Sequence, residues 1–298
     1  MTDISQLRYL RLTDHLIGFY DGRVEGHRFA AFDNWVDDGA LSLGICSYAL
    51  IDGGEAIVYD AHVSVDHAAK IRQILQKLGT RKITVVLSHW HLDHVAGTEA
   101  FADCPIIANR RTAELLARHK QKIESGAHEG PPAIKPLILP TEVFDGQIHL
   151  HCGGLHLDLI EMNIHSRDAT VICMPREGIL LAGDTLEDTV TYVSEPQGLR
   201  EHLDELDRMY GFGIDTIFPN HGDPGVIESG GYGKSLIRAT QQYVRTLLRC
   251  VSDEELRSKP LTELIAGPLQ AGWINYFAPY EAVHRNNLAA VMAEPSLR

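Results

Sequence analysis

The chain has 298 residues, 44% hydrophobic and 22% charged, which suits a globular protein of one large domain or two small ones. Its formal net charge of −13 opposes a phosphate backbone, so a nucleic-acid partner is not expected. No apolar run approaches the roughly 18 residues of a membrane span, and the N-terminal MTDISQLRYLRLTDHL lacks the apolar core of a secretory leader, so neither membrane nor export is expected.

The elements follow in chain order. The apolar run 43–51, the turn Asp52-Gly53-Gly54 and the strand 56–59 read as a hairpin ending at Asp60. Residues 66–78 have helical spacing, with Gly79 as a stop. Residues 83–87 read as a buried strand, and 111–124 as a helix. The Gly- and Pro-rich stretch 126–140 reads as a long surface loop, a candidate flap near a site. Strands are expected at 148–151, 155–162, 169–174, 178–182 and 215–218, with an amphipathic helix at 199–209. From about 231 the chain reads as helices, at 235–251, 261–266 and 280–293. Strands in both halves with helices between them indicate a layered α/β protein. We expect one domain over 1–298, with 231–298 as a helical extension packed on it. No fixed-period repeat or low-complexity tract interrupts it.

There are five cysteines, Cys46, Cys104, Cys152, Cys173 and Cys250, scattered and without a C-x-x-C pair. Buried thiols in a reducing, cytoplasmic compartment are expected. Sixteen histidines is a high count for this length, and three of them fall in SHWHLDHVAG, residues 88–97, directly after the strand 83–87. His89, His91, Asp93 and His94 occupy six positions. Alternate residues of an extended stretch point the same way, so His89 and His91 can share one target. Asp93 and His94 follow the bend and can aim at a second. Imidazole with carboxylate suits zinc, and also iron or manganese. A structural zinc site would more often use cysteine. A plain polar loop would have to explain four ligand-type side chains in six positions.

The stretch matches H-x-H-x-D-H, and with it the sequence resembles the metallo-β-lactamase superfamily. That family draws its remaining ligands from later strand ends in a fixed order. His165 in EMNIHSRDATVICMP, Asp184 in GILLAGDT and His221 in DTIFPNHGDP follow that order, and Asp60 after AIVYD matches the family's early aspartate. The resemblance covers residues 60–221 and implies a four-layer αββα sandwich. It implies His89, His91 and His165 as ligands of one metal site, and Asp93, His94 and His221 as ligands of a second. Asp184 would bridge the two, and Asp60 would hydrogen-bond to the motif loop and hold it in place. Two zinc ions are the implied cofactors, with iron or manganese as alternatives.

Such a pair lowers the pKa of a bridging water toward about 7, giving a hydroxide nucleophile at neutral pH. The metal charge stabilises the oxyanion. Asp184 and Asp93 are the catalytic candidates, Asp184 also as a carrier of the proton to the leaving group. The expected function is a dinuclear zinc hydrolase that cleaves an ester, thioester or lactone of a small organic substrate. True β-lactamases of the family generally have cysteine or serine where Asp184 stands, although the turn His165-Ser166-Arg167-Asp168 keeps that reading open. Asp184 resembles instead the thioesterases of the glyoxalase II type, lactonases, phosphodiesterases and sulfatases. A phosphodiesterase or nuclease with the same metals is an alternative that the acidic charge opposes. A mononuclear iron sulfur dioxygenase is another, because ligands alone do not select the metal. A diiron flavoprotein is disfavoured by His91, where those relatives commonly carry glutamate. A binding module is disfavoured by the intact ligand set.

The substrate is less legible. Phe32 and Trp35, in FAAFDNWVDDGA at 29–40, are candidates for a hydrophobic lip over the metals, with a staple onto the core as an equal reading. Tyr192 is a candidate substrate contact if its loop folds back. Lys234, Arg238 and Arg245 lie where glyoxalase II enzymes carry basic residues, but a solvated helix face accounts for Arg238 and Arg245. The aromatic stretch WINYFAPY at 273–280 reads first as core packing, with a pocket wall or a homodimer contact as the alternatives.

Overall fold

A computed structural model describes residues 3–297, and the chain divides into one compact unit up to Glu161 and another from Met162. Among the described residues the strands form two sheets, of seven and five strands.

The first unit begins with β1 (Arg8–Arg11) and β2 (Leu16–Asp21). Then come β3 (Ile45–Asp52), β4 (Glu55–Tyr59), α1 (Val65–Lys77), β5 (Lys82–Val86) and α2 (Leu92–Val95). After these come β6 (Ile106–Asn109), α3 (Arg110–Glu124), β7 (Glu142–Phe144), β8 (Gln147–Cys152) and β9 (Leu155–Ile164), which ends in the second unit. Strands β1 to β7 lie side by side in sequence order. Pairing is antiparallel from β1 to β4 and parallel from β4 to β7. The β3–β4 hairpin turns on Gly53 and Gly54, whose φ values of 58° and 82° are the left-handed pair that a tight hairpin requires.

Strands β1, β2, β6 and β7 were not among the expected elements. Three of them have three or four residues, too few to show a period. The fourth, LIGFYD, is buried at every position and so shows no alternation. Helix α1 matches its expected span closely, with Ser64 Oγ accepting from His67 N at its start and Ala68, Ile71 and Leu75 buried. The stretch 126–140 is more firmly held than a free surface loop. Ile134 and Leu137 are buried in the core, and Leu137 N donates to Glu124 Oε1 at 3.0 Å.

The second unit holds β10 (Ser166–Met174), β11 (Ile179–Gly183), α4 (Leu199–Tyr210) and β12 (Thr216–Pro219). Six helices follow: α5 (Pro224–Glu228), α6 (Ser235–Cys250), α7 (Glu254–Arg257), α8 (Leu261–Leu264), α9 (Ala266–Gln270) and α10 (Tyr280–Ala293). Strands β10 and β11 are antiparallel, and β11 and β12 parallel. The helix expected at 261–266 is two short ones, broken at Ile265. Among the described residues no helix is long and apolar enough to cross a membrane. The cysteines are free thiols, four of them buried and Cys104 half-buried.

Gly97 closes the histidine motif against α1. A Cβ there would lie 2.0 Å from Ala61 O and 2.4 Å from Ala68 Cβ. Backbone supplies the nearer of those atoms, so it cannot swing aside. Gly97→Ala is therefore expected to destabilise the fold by about 3 kcal/mol, at the upper end of overpacking costs. An unchanged thermal midpoint would contradict the close approach.

Candidate metal centre

The first unit supplies four of the expected ligands from one loop and the short helix that follows it. Parallel pairing sets Tyr59 beside Val86, so β4 and β5 end together. Asp60 follows one strand and Ser88 soon follows the other. Asp60 is fully buried and has φ 69°, a left-handed conformation unusual outside glycine. Both its oxygens are used: Oδ1 accepts from Ser88 N at 2.7 Å, and Oδ2 lies 2.8 Å from His94 Nδ1. An ionised carboxylate only accepts, so Nδ1 of His94 carries the proton and Nε2 keeps its lone pair.

His89 Nδ1 is 2.9 Å from Ser88 Oγ, and its Nε2 is 2.9 Å from His91 Nδ1. Two imidazole nitrogens so close repel unless a proton or a cation lies between them. The separation is close to the roughly 3.3 Å between two ligands of a tetrahedral zinc with bonds of about 2.0–2.1 Å. His91 is the residue before α2, in extended conformation at φ −65° and ψ 151°, and Asp93 and His94 lie in that helix. His94 Nε2 is 3.5 Å from Asp93 Oδ1.

A polar layer that the sequence reading missed lies next to this loop. His67 Nε2 is 2.9 Å from Asp21 Oδ2, with both side chains fully buried. The His62 ring stacks on His67 with centroids 4.6 Å apart, and His62 O accepts from Gly97 N. Burial, followed by the neighbouring His67, holds the His62 pKa well below the usual imidazole value, so it packs as a neutral ring. The only sequence signal was the density of His and Asp in YDAHVSVDHAAK.

The second unit supplies the other three from neighbouring strand ends. His165 sits between β9 and β10 with φ 69°. Its Nδ1 is 2.9 Å from Tyr192 O. A carbonyl only accepts, so Nδ1 carries the proton and the lone pair is on Nε2. Asp184 follows β11, where the register shifts between Leu181 and Gly183. His221 follows β12, and parallel pairing sets Gly183 beside Pro219. Asp184 Oδ2 lies 3.8 Å from His165 Nε2 and 3.5 Å from His221 Nε2. One carboxylate oxygen thus lies near the Nε2 atoms of two imidazoles.

Behind it, Glu187 is buried and accepts from Tyr192 N at 2.8 Å and Tyr280 OH at 3.1 Å. Burial, with Asp184 as the next cause, raises its pKa well above the usual carboxyl range. Asp188 is also buried and accepts from Tyr232 OH and Asn275 N, each at 2.8 Å.

The substrate candidates fall in different places. Trp35 is buried, its indole N–H donating to Pro132 O at 3.0 Å, and it lines a cavity of about 210 Å³ with Phe29, Val63, Ala96 and Lys135. Phe32 is 54% exposed and does not line that cavity. The Tyr192 ring is partly exposed, 5.8 Å from the His165 ring. Lys234 Nζ donates to Tyr210 O and Phe212 O, closing the end of α4. Arg238 pairs with Tyr210 OH. In the 273–280 stretch, Ile274 and Tyr280 are buried, whereas Tyr276 is exposed.

The donor chemistry fits metal ions. One ring nitrogen each of His89, His94 and His165 is tied to a protein group; the metal-ligating types are His89, His91, Asp93 and His94 in one unit and His165, Asp184 and His221 in the other. Comparison with known proteins agrees. The metallo-beta-lactamase superfamily profile matches residues 41–221, and the chain belongs to that superfamily. Its mixed α/β fold of two sheets, with helices at the C-terminal end, is that of its solved neighbours. A metallo-beta-lactamase from Pontibacter korlensis matches with a TM-score of 0.61 at 16% identity, over 80% of this chain and 99% of that one. A metallo-beta-lactamase family protein from Thermus thermophilus matches with a TM-score of 0.59 at 17% identity, over 93% and 94%. Among curated proteins, a beta-lactamase-like protein 2 homolog of Drosophila melanogaster is 26% identical over 182 residues, 60% of this chain and 59% of that protein. The Caenorhabditis elegans homolog is 22% identical over 181 residues, 60% and 56% of the two chains. The match thus spans less than two thirds of those relatives.

Replacing Asp60 removes the partner of His94 Nδ1 and of Ser88 N together. Asp60→Ala is expected to weaken metal binding about 10–100-fold, the usual cost of losing such a contact. Chelator competition measures this, and wild-type affinity in that variant would contradict the role.

Proposed function

We propose that the two donor sets serve one dinuclear metal centre and that the protein is a metal-dependent hydrolase of a small organic ester, thioester or lactone. The family match supports a shared centre, because residues 41–221 take in all seven candidate ligands. The observation that carries the proposal is Asp184, with one oxygen 3.8 Å from His165 Nε2 and 3.5 Å from His221 Nε2. These histidines belong to different metal sites in the resemblance, so a carboxylate between them suits a bridge.

Bound cations, zinc in this reading, would supply Lewis acidity and lower the pKa of a water toward about 7. The chain's own residues do the rest. His89, His94 and His165 each have one ring nitrogen engaged by a protein group, which limits ring rotation. Asp93 and Asp184 offset the cationic charge. Asp184 can take a proton from the attacking water and return it to the departing oxygen or sulfur as the acyl bond breaks, so the proton count closes. No serine or cysteine nucleophile is needed. Asp184 in place of cysteine or serine is what favours ester-type substrates over β-lactams.

Metal analysis of protein purified without added metal is expected to give near two zinc per chain. One iron per chain with oxygen uptake on persulfide would overturn the proposal. Asp184→Ala is expected to lower metal content together with activity, the latter at least 100-fold, and full activity with both metals retained would refute the bridge. A panel of a lactone, an acyl-glutathione, an aryl ester, a phosphodiester and a β-lactam should show the first three turned over best; faster phosphodiester cleavage would replace the ester assignment.

A further inference from the structure

Helix α10 carries an amide on its buried face. Its buried positions are Tyr280, Val283, His284, Asn287 and Val291, a stripe of helical spacing. Asn287 is completely buried within it. A buried carboxamide costs free energy unless its hydrogen bonds are made. Its oxygen accepts from Val193 N at 2.8 Å, and its nitrogen donates to Thr191 O at 3.0 Å and to Tyr243 OH at 3.1 Å. The side chain therefore grips the backbone on both sides of Tyr192, pairing with one N–H and one C=O as an adjacent strand would.

Tyr192 is held from a second direction. Its N–H donates to Glu187 Oε1, and the other oxygen of Glu187 accepts from Tyr280 OH, also on α10. The carbonyl of Tyr192 is the acceptor for His165 Nδ1. Ser194 N, two residues on, donates to His165 O. A continuous run of hydrogen bonds thus leads from α10, through 191–194, to the ring and backbone of His165.

We propose that Asn287, supported by Tyr280, is a positioning residue for the metal centre: it fixes the Tyr192 carbonyl, which orients the His165 ring so that Nε2 faces the metal. This rests on the reading of His165 as a metal ligand. It assigns the C-terminal helices a part in metal binding, although they lie beyond the 41–221 family match.

The test uses the full chain. Asn287→Leu keeps the branched shape of the side chain, with added bulk, but removes every hydrogen bond of the carboxamide, and Tyr280→Phe removes one hydroxyl. Leu206→Ala, on α4 outside this network, controls for simple loss of stability. Zinc affinity is measured by chelator competition at a temperature where each protein is folded. Asn287→Leu is expected to weaken zinc binding about 10–100-fold, and Tyr280→Phe several-fold. Leu206→Ala should lower the thermal midpoint and leave affinity at the wild-type value. Wild-type affinity in both Asn287→Leu and Tyr280→Phe would overturn the proposal, as would an equal loss in Leu206→Ala. If Asn287→Leu does not fold, Tyr280→Phe decides in the same way. Wild-type protein that binds no zinc, or a His165→Ala variant that binds it as tightly, would instead bring down the underlying reading of the site and this proposal with it.

Discussion

An imidazole is a better metal ligand on one nitrogen when the other is held by a protein group, and this device appears in both donor sets. Asp60 ties Nδ1 of His94, the Tyr192 carbonyl ties Nδ1 of His165, and Ser88 Oγ pairs with Nδ1 of His89. The Asp60 and Tyr192 contacts each select a tautomer and an orientation before any ion arrives, and the Ser88 hydroxyl, which can donate or accept, orients the His89 ring. Metal binding then requires little reordering of the rings. The same device appears outside the ligand set, where buried Asp21 holds His67 and His67 stacks on His62.

Holding these partners in place is the task of the strand ends. Parallel neighbours β4 and β5 bring Asp60 beside the motif loop, and parallel neighbours β11 and β12 bring Asp184 beside His221. In both cases the functional residues lie just beyond the carboxyl ends of the strands. There the backbone leaves the sheet ladder and can take unusual conformations. Asp60, His62 and His165 all have positive φ. Such strain persists only where surrounding bonds over-determine it, and at each position the residue's own groups or its immediate neighbours are hydrogen-bonded.

Much of the fold was legible because it is periodic. The β3–β4 hairpin, α1, α3, α4 and α10 lie within a residue or two of their expected spans, as hydrophobic spacing and glycine stops announce them. Strands β1, β2, β6 and β7 were not legible, being either too short for a period or buried on both faces. The candidate ligands were legible for another reason. Metal chemistry restricts them to a few residue types, and four fall within six positions. Glu187 and Asp188 stood in plain view after Asp184, but nothing in the sequence said that they would be buried. Asn287 was harder still, because a single amide in a helix looks like an ordinary surface residue.

By itself the sequence determined the superfamily, the candidate ligands and the mixed α/β character, since these depend on local spacing and on the order of strand-end residues. Tertiary structure alone decided which groups hold those ligands. It paired Asp60 with His94 across 34 residues and placed Asn287 against Thr191 across 96. Hydrogen bonds of that range leave no period in the chain, because their partners are brought together only when the sheets and helices pack. The stretch 126–140 shows the same division: its composition announced a loop, and only packing revealed Ile134 and Leu137 in the core and Pro132 bonded to Trp35.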